Sequence, residues 1–348
     1  MSATASNISI PAVSNLQVER PMSLLRQLGS SRRAIIGGAG LLLILLTCVS
    51  SLYWTARPET DSPLYFNKQH GDLARLPPSF TGKPANEPDD DWAQMQQKIR
   101  SYDAAHKEGS LWRLFGTDGQ SASMLGKCLY GGVISLSIGI MSAIISLILG
   151  VSIGMIAGYR GGWVDSVLMR FVDVMYGLPY ILIVILFRSA FADAEFNKKY
   201  PIVLLFVSMG LVSWLTMARV IRGQVLSLRT LPYVEAARAA GVPEYKIFLH
   251  HLLPNLIGPI IVYATLTIPA AILQESFLSF LGLGVSAPTV TWGSLASEGL
   301  TPGLNSVHSR WWLLFFPCTL LASTLLCLNF LGDGLRDIFD PRKEAAKI

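Results

Sequence analysis

Charge is scarce in this chain. Asp, Glu, Lys and Arg make up only 15% of its 348 residues, against 51% hydrophobic, and the mean hydropathy is +0.45. That balance is too apolar for an ordinary soluble domain and points to a polytopic, all-α membrane protein. Cysteine is scarce as well. Cys48, Cys128, Cys318 and Cys327 lie in or beside apolar runs without metal-type spacing, so they read as isolated buried thiols. No H-E-x-x-H occurs, and the adjacent His250 and His251 would point about 100° apart on a helix. Both facts argue against a membrane-embedded metalloenzyme. Gly126-Lys127 is a poor phosphate loop: Ser121 stands where the first Gly is required and Cys128 where Ser or Thr belongs, so the chain carries no ATP site of its own. No small-residue cleavage site follows Tyr53-Trp54, so the first apolar run reads as a span and not as a removed signal.

What the chain has in abundance is long apolar runs. About 20 residues are needed to cross about 30 Å of hydrocarbon. Five stretches meet this: Ala34–Tyr53, Leu129–Ala157, Pro201–Val220, Leu256–Leu281 and Trp311–Leu331. A sixth, Val172–Phe191, carries Asp173 and Arg188 near its ends. The net charge of +5 is spread by topology and excludes nothing but a nucleic-acid reading. With the N-terminus inside, Arg32, Arg33, Arg160, Arg219, Arg222, Arg229, Arg238, Lys246 and Arg336 all fall on the inner side. The short outer loops and their borders hold only Arg188, Lys198, Lys199 and Arg310. This asymmetry obeys the positive-inside rule with both termini inside.

The organisation that follows is a tail over residues 1–33, a first transmembrane helix over 34–54, and a long outer insert over 55–127. A five-helix core spans 128–332 and carries an inner loop at 222–255, and an inner tail occupies 333–348. In the insert, Asp89-Asp90-Asp91 precedes Trp92, Met95, Ile99 and Tyr102 at helical spacing, which predicts one amphipathic helix amid Pro-broken chain. The insert serves either as a contact surface for an outside partner or substrate, or as a cap on its own core. Gly150, Gly154 and Gly158 form a small-residue ladder for close helix packing. Gly177 and Pro179 predict a kink. Gln274 and Glu275 lie deep in the fifth span, where a carboxylate facing lipid costs roughly 2.5–3.5 kcal/mol. Glu275 must therefore face a path, a neighbouring helix or the interface. Gln274, Glu275, Asp173 and Pro179 are the candidates for a translocation path or for helix packing. Leu278–Val285 and Trp292-Gly293 predict a Gly-rich re-entry with a short helix.

The stretch Leu228–Asn255 is a polar island between spans. Pro232 suits a first helical position and Glu235 a first turn. Tyr233, Ala236, Ala237 and Ala240 share a face, and Gly241 suits a left-handed C-cap. A second helix is predicted from Pro243 to Leu253, stopping before Pro254. The exposed face reads as mostly alanine, which suits docking into a groove on another protein.

Glu235-Ala236-Ala237, three residues, Gly241, and then Leu253-Pro254 resemble the permease loop of ATP-binding-cassette importers, E-A-A-x3-G-x9-I-x-L-P. His251 replaces the Ile, and with Asn255 this is similar to the dipeptide/oligopeptide/nickel branch. Gly116-Thr117-Asp118, Leu278–Gly284 with Trp292-Gly293, and Leu331–Asp337 with Asp340-Pro341-Arg342 resemble the same branch. One departure is that Gln120–Ser123 occupies the place of the usual Gly-Arg-Asp. The resemblance implies a type I importer permease fold with six transmembrane helices, in a bacterial-type inner membrane. It implies no catalytic role and no cofactor in this chain, ATP and Mg being bound by two partner ATPase subunits. It also implies a second homologous permease and an extracytoplasmic solute-binding protein, with peptides as cargo. By position, Glu235, Ala236, Ala237, Gly241, Leu253 and Pro254 would form the ATPase-coupling loop. The alternatives are a permease for nickel or another small solute, and a stand-alone secondary transporter. The latter needs an inverted repeat, which the sequence does not display.

Overall fold

The computed structural model describes residues 31–58, 62–84, 87–106, 110–191, 201–285, 287–305 and 309–339. The tail expected over 1–33 lies outside these residues except for its last three. The C-terminal tail from Asp340 onward and the loop carrying Lys198 and Lys199 lie outside them too.

Eleven α-helices follow in order among the described residues: α1 Arg32–Thr55, α2 Asp89–His106, α3 Met124–Arg160, α4 Gly162–Gly177, α5 Tyr180–Ala190, α6 Pro201–Leu228, α7 Pro232–Ala239, α8 Glu244–Ile247, α9 Leu253–Phe280, α10 Trp292–Gly303 and α11 Trp312–Phe339. Five helical stretches are long and apolar enough to cross a membrane, and α4 with α5 makes a bent sixth. The bend falls inside the expected sixth span, Val172–Phe191, at the kink that Gly177 and Pro179 predict. The two helices meet at 95°, hinged at Leu178 and Pro179. Leu178 is extended, as a residue before proline prefers, and Pro179 opens α5. The 11 residues of α5 reach only about 16 Å, too short to span without α4.

The centre of the bundle is α3, 37 residues long or about 55 Å. Ser123 caps its start by accepting from the Gly126 amide at 3.2 Å. Gly161, at φ +65°, ends it. The glycine ladder is the seam with α6. A side chain at Gly150 would meet Met217 at 2.5 Å, one at Gly154 the Ala218 carbonyl at 2.6 Å, and one at Gly158 Val225 at 2.8 Å. Small residues also bring α1 against α11, where Gly37 lies under the Cys327 carbonyl and Gly334 under Ala34. Without a hydrophobic drive between helices in lipid, such close approach is what packing requires.

The two ends of the bundle differ. At one end the insert folds over α3, α10 and α11. It has its own small core of Leu73, Leu76, Ile99 and Trp112 with Met95 and Tyr102, and buried His70 stacks on Trp112 at 4.1 Å. Phe66 joins it to Met124, Cys128, Leu295, Trp312 and Phe316 in the bundle. The insert thus packs onto the bundle's own core, and α2 starts at the acidic run as predicted. At the other end lies the α7–α8 hairpin.

Candidate functional site

The hairpin is built as its sequence dictates, up to Pro243. Pro232 opens α7 with Glu235 in its first turn. Gly241 at φ +73° closes it: Gly241 N–H donates to the Arg238 carbonyl at 3.0 Å and Val242 N–H to the Ala237 carbonyl at 3.1 Å. This pair of bonds is a Schellman cap. Beyond Pro243 the structure departs from expectation. The second helix does not stop before Pro254. Four residues of α8 pass into a π turn at Phe248–Leu252, which runs directly into α9. Leu253 N–H reaches back to the Phe248 carbonyl. The wider turn makes room for a proline that has no N–H to give and would otherwise clash with the turn behind it.

The exposed face also differs from the alanine surface read from spacing. Glu235, Ala236, Ala239, Ala240 and Gly241 are exposed, but Ala237 turns toward buried Val234 in the hairpin core. Large apolar side chains rim the alanines, with Tyr233 41%, Tyr245 60% and Leu249 55% exposed. Leu253 packs inward on the same core, and Pro254 is exposed beside it. Of the six predicted loop residues, Glu235, Ala236 and Gly241 form the tip. Ala237 and Leu253 support it from within.

What the sequence did not reveal is how rigidly this tip is fastened. Arg160, the last residue of α3, pairs with Glu244 at 3.0 Å. Arg229 donates to the Gly158 carbonyl at 2.9 Å. Arg238 lies over the Tyr159 ring at 4.9 Å, and that ring meets Phe248 edge-on. Arg222 holds Asp165 of α4 with two bonds of 2.5 and 2.6 Å. Asn255 donates to both the His251 carbonyl and the Tyr233 hydroxyl, tying α7 to the start of α9. Val234, Ile247 and Leu252 extend the bundle core between Ile221 and Leu256. Arg160 and Glu244 are 84 residues apart, so no local pattern could announce them.

The predicted path residues do not converge. Asp173 is exposed and pairs with Arg219 at 2.7 Å, and the same guanidinium sits 4.0 Å over the Tyr176 ring. Pro179 is the hinge. Gln274 lines a cavity of about 270 Å³ behind that hinge with Tyr180, Ser213 and Thr216. Glu275 does not line it and is fully buried. Its Oε1 accepts from Ser279 at 2.6 Å and Thr291 at 2.7 Å. Thr291 is in turn the cap of α10. Next to it, Trp292 donates its backbone N–H to Ser135 and its indole N–H to the Cys128 carbonyl. Through Thr291, Glu275 fastens α10 to α9. His250 is exposed and bonds the Lys246 carbonyl, and among the described residues no three His, Cys, Asp or Glu side chains gather as for a metal.

The family pattern described as "Binding-protein-dependent transport system inner membrane component" matches residues 150–345, from mid-α3 to beyond α11. The sequence is 44% identical to the dipeptide transport system permease protein DppC of Bacillus subtilis over 228 residues, 66% of this chain and 68% of that protein. It is 42% identical to the oligopeptide transport system permease protein OppC of Escherichia coli K12 over 254 residues, 73% and 78% of the two chains. Among solved structures, an inward-facing form of the MetNI methionine ABC transporter covers 62% of this chain and 97% of its own, at TM-score 0.49 and 17% identity.

Proposed function

The chain belongs to the inner-membrane components of binding-protein-dependent transport systems, and from that membership we propose that it is one permease of an ATP-driven peptide importer. It is the non-catalytic, multi-pass membrane subunit. In this reading it adopts the type I importer arrangement, with both termini cytoplasmic, the hairpin on the cytoplasmic side and the insert outside. A second homologous permease completes the path. Two ATPase subunits hold ATP and Mg, and a solute-binding protein delivers the cargo. Peptide is favoured over nickel or another small solute because the proteins at 42–44% identity are named for dipeptide and oligopeptide transport.

The observation that carries the reading is the hairpin: an exposed tip of Glu235, Ala236 and Gly241 fastened to α3 by Arg160–Glu244 and Arg229. A surface fixed in this way passes a push from a docked partner into the bundle with little lost to local bending. The partner's ATP-driven closure supplies the differential affinity that shifts the bundle between its two states. Glu235, Ala236 and Gly241 would make the contact, with Ala237 and Leu253 supporting it from within and Pro254 exposed beside it. In reconstituted complex, Gly241→Asp and Glu235→Lys are expected to abolish ATP-dependent dipeptide uptake while the chain still inserts and assembles. Normal uptake in both variants would overturn the assignment.

A further inference from the structure

At the insert end two cavities, of about 230 and 590 Å³, adjoin between the insert and α10. Arg75 and Glu298 line both. Most other charges on these walls are neutralised. Asp118 pairs with Lys127, both nearly buried, and Glu87 pairs with Arg310 at 3.1 Å with each side chain 14% exposed. Asp91 sits in the first turn of α2, where the helix N-terminus offsets it. Arg75 and Glu298 remain. Both are exposed to the cleft, and among the described residues neither has an ion-pair partner, including each other.

The positions of these two charges are built. Arg75 holds φ +57°, a left-handed conformation that L-residues rarely adopt. The surrounding bonds impose it. Arg75 N–H donates to the Asp118 carbonyl at 2.8 Å, and the next amide, of Leu76, donates to Thr117 Oγ1 at 2.7 Å. The side chain is thereby laid beside Gly119, where a Cβ would sit 3.8 Å from Nε. Glu298 stands on α10, which the Thr291–Glu275 and Trp292–Ser135 bonds hold in place. Though its tip is exposed, partial burial pushes its carboxyl up, with Lys127 opposing the rise and Asp118 reinforcing it.

A fixed cation and a fixed anion facing one cleft, too far apart to pair, suit a ligand that carries both charges. A simple anion meets Glu298, and a simple cation meets Arg75. We propose that this cleft binds the two free termini of a short peptide, with Arg75 facing its carboxylate and Glu298 its ammonium. An extended dipeptide carries its two charges about 7 Å apart, farther than an ion pair allows. This rests on the reading of the chain as a peptide permease and adds a place at the outer mouth where free termini are recognised.

The test uses the assembled permease–ATPase complex in lipid nanodiscs without the binding protein. Binding of Ala-Ala, N-acetyl-Ala-Ala and Ala-Ala amide is compared by saturation-transfer NMR at millimolar ligand. Ala-Ala should bind, and each capped form about ten-fold more weakly. Arg75→Gln should lose discrimination against the amide only, Glu298→Gln against the N-acetyl form only, and Arg75→Lys should retain it. Equal binding of free and capped forms, no binding of Ala-Ala, or unchanged discrimination in both variants overturns the site. So does a result in which the variants weaken only the docking of the binding protein. Failure of the peptide reading looks different: the wild-type complex with its binding protein would show no ATP-driven Ala-Ala uptake at all.

Discussion

Thr291 donates its hydroxyl to the Glu275 carboxylate at 2.7 Å and accepts the Ser294 amide on the same oxygen at 3.1 Å. One side chain therefore both starts α10 and fastens it to α9. Losing the hydroxyl removes a helix cap, worth about 0.5–2 kcal/mol, and a hydrogen bond to a buried carboxyl, worth about 1.5–3 kcal/mol. Thr291→Val should lower the unfolding midpoint of the purified complex clearly, whereas Thr291→Ser should stay near wild type. Equal midpoints for Val and Ser would mean that the hydroxyl is not the tie.

The glycine seam makes a paired prediction. Gly154 lies against the Ala218 carbonyl and Ile221, while Gly223 on α6 has nothing within 4 Å. Gly154→Val must force α3 from α6 and should cost about 1–3 kcal/mol or more. Gly223→Ala meets no neighbour and should be neutral or stabilising by up to about 1 kcal/mol. Thermal unfolding of the two variants in one detergent checks both halves. Similar losses in the two would remove the seam from the account.

At the insert end, Asp118 accepts the Gln120 and Ala122 amides at 2.8 Å each and pairs with Lys127. Asp118→Asn leaves a buried Lys without its counter-charge, a change that costs about 3–5 kcal/mol. The double variant Asp118→Asn with Lys127→Met removes the orphaned charge and should recover part of that loss. A double-mutant cycle on unfolding midpoints measures the coupling, and strictly additive losses would show that the pair is not coupled.

These cases mark what is readable in the sequence and what is not. Gly150, Gly154 and Gly158, Pro232, Glu235 and Gly241, and the acidic start of α2 each declare a local requirement, and each does in the structure what its residue type demands. The bend at Pro179 was legible as a kink but not as 95°. Its size is set by where α5 lands, with Val184 packed against Ile138, Leu205 and Leu278 from three other helices. The π turn before Pro254 is not legible, because a proline marks equally a helix end and a wider turn that accommodates it. Arg160–Glu244, Asp118–Lys127 and Thr291–Glu275 were not legible as pairs, because each joins segments whose nearness only the folded bundle creates. Gly116-Thr117-Asp118 was visible as a motif, but its physical job was not. Thr117 bonds both Leu73 and Leu76, and Asp118 organises its own turn.

The central claim is that the α7–α8 tip receives the ATPase, and proximity tests it most directly. A cysteine placed at Ala236, exposed at the tip, is cross-linked within the intact complex to cysteines lining the ATPase groove. The native Cys48 and Cys128 are buried among the helices, and the partly exposed Cys318 and Cys327 are replaced by Ser beforehand. The account predicts an Ala236→Cys cross-link to the ATPase subunit that forms in high yield and blocks ATP-dependent uptake until it is reduced. A complex that is intact and active, yet gives no cross-link from Ala236 while another inner-side position does, would contradict it.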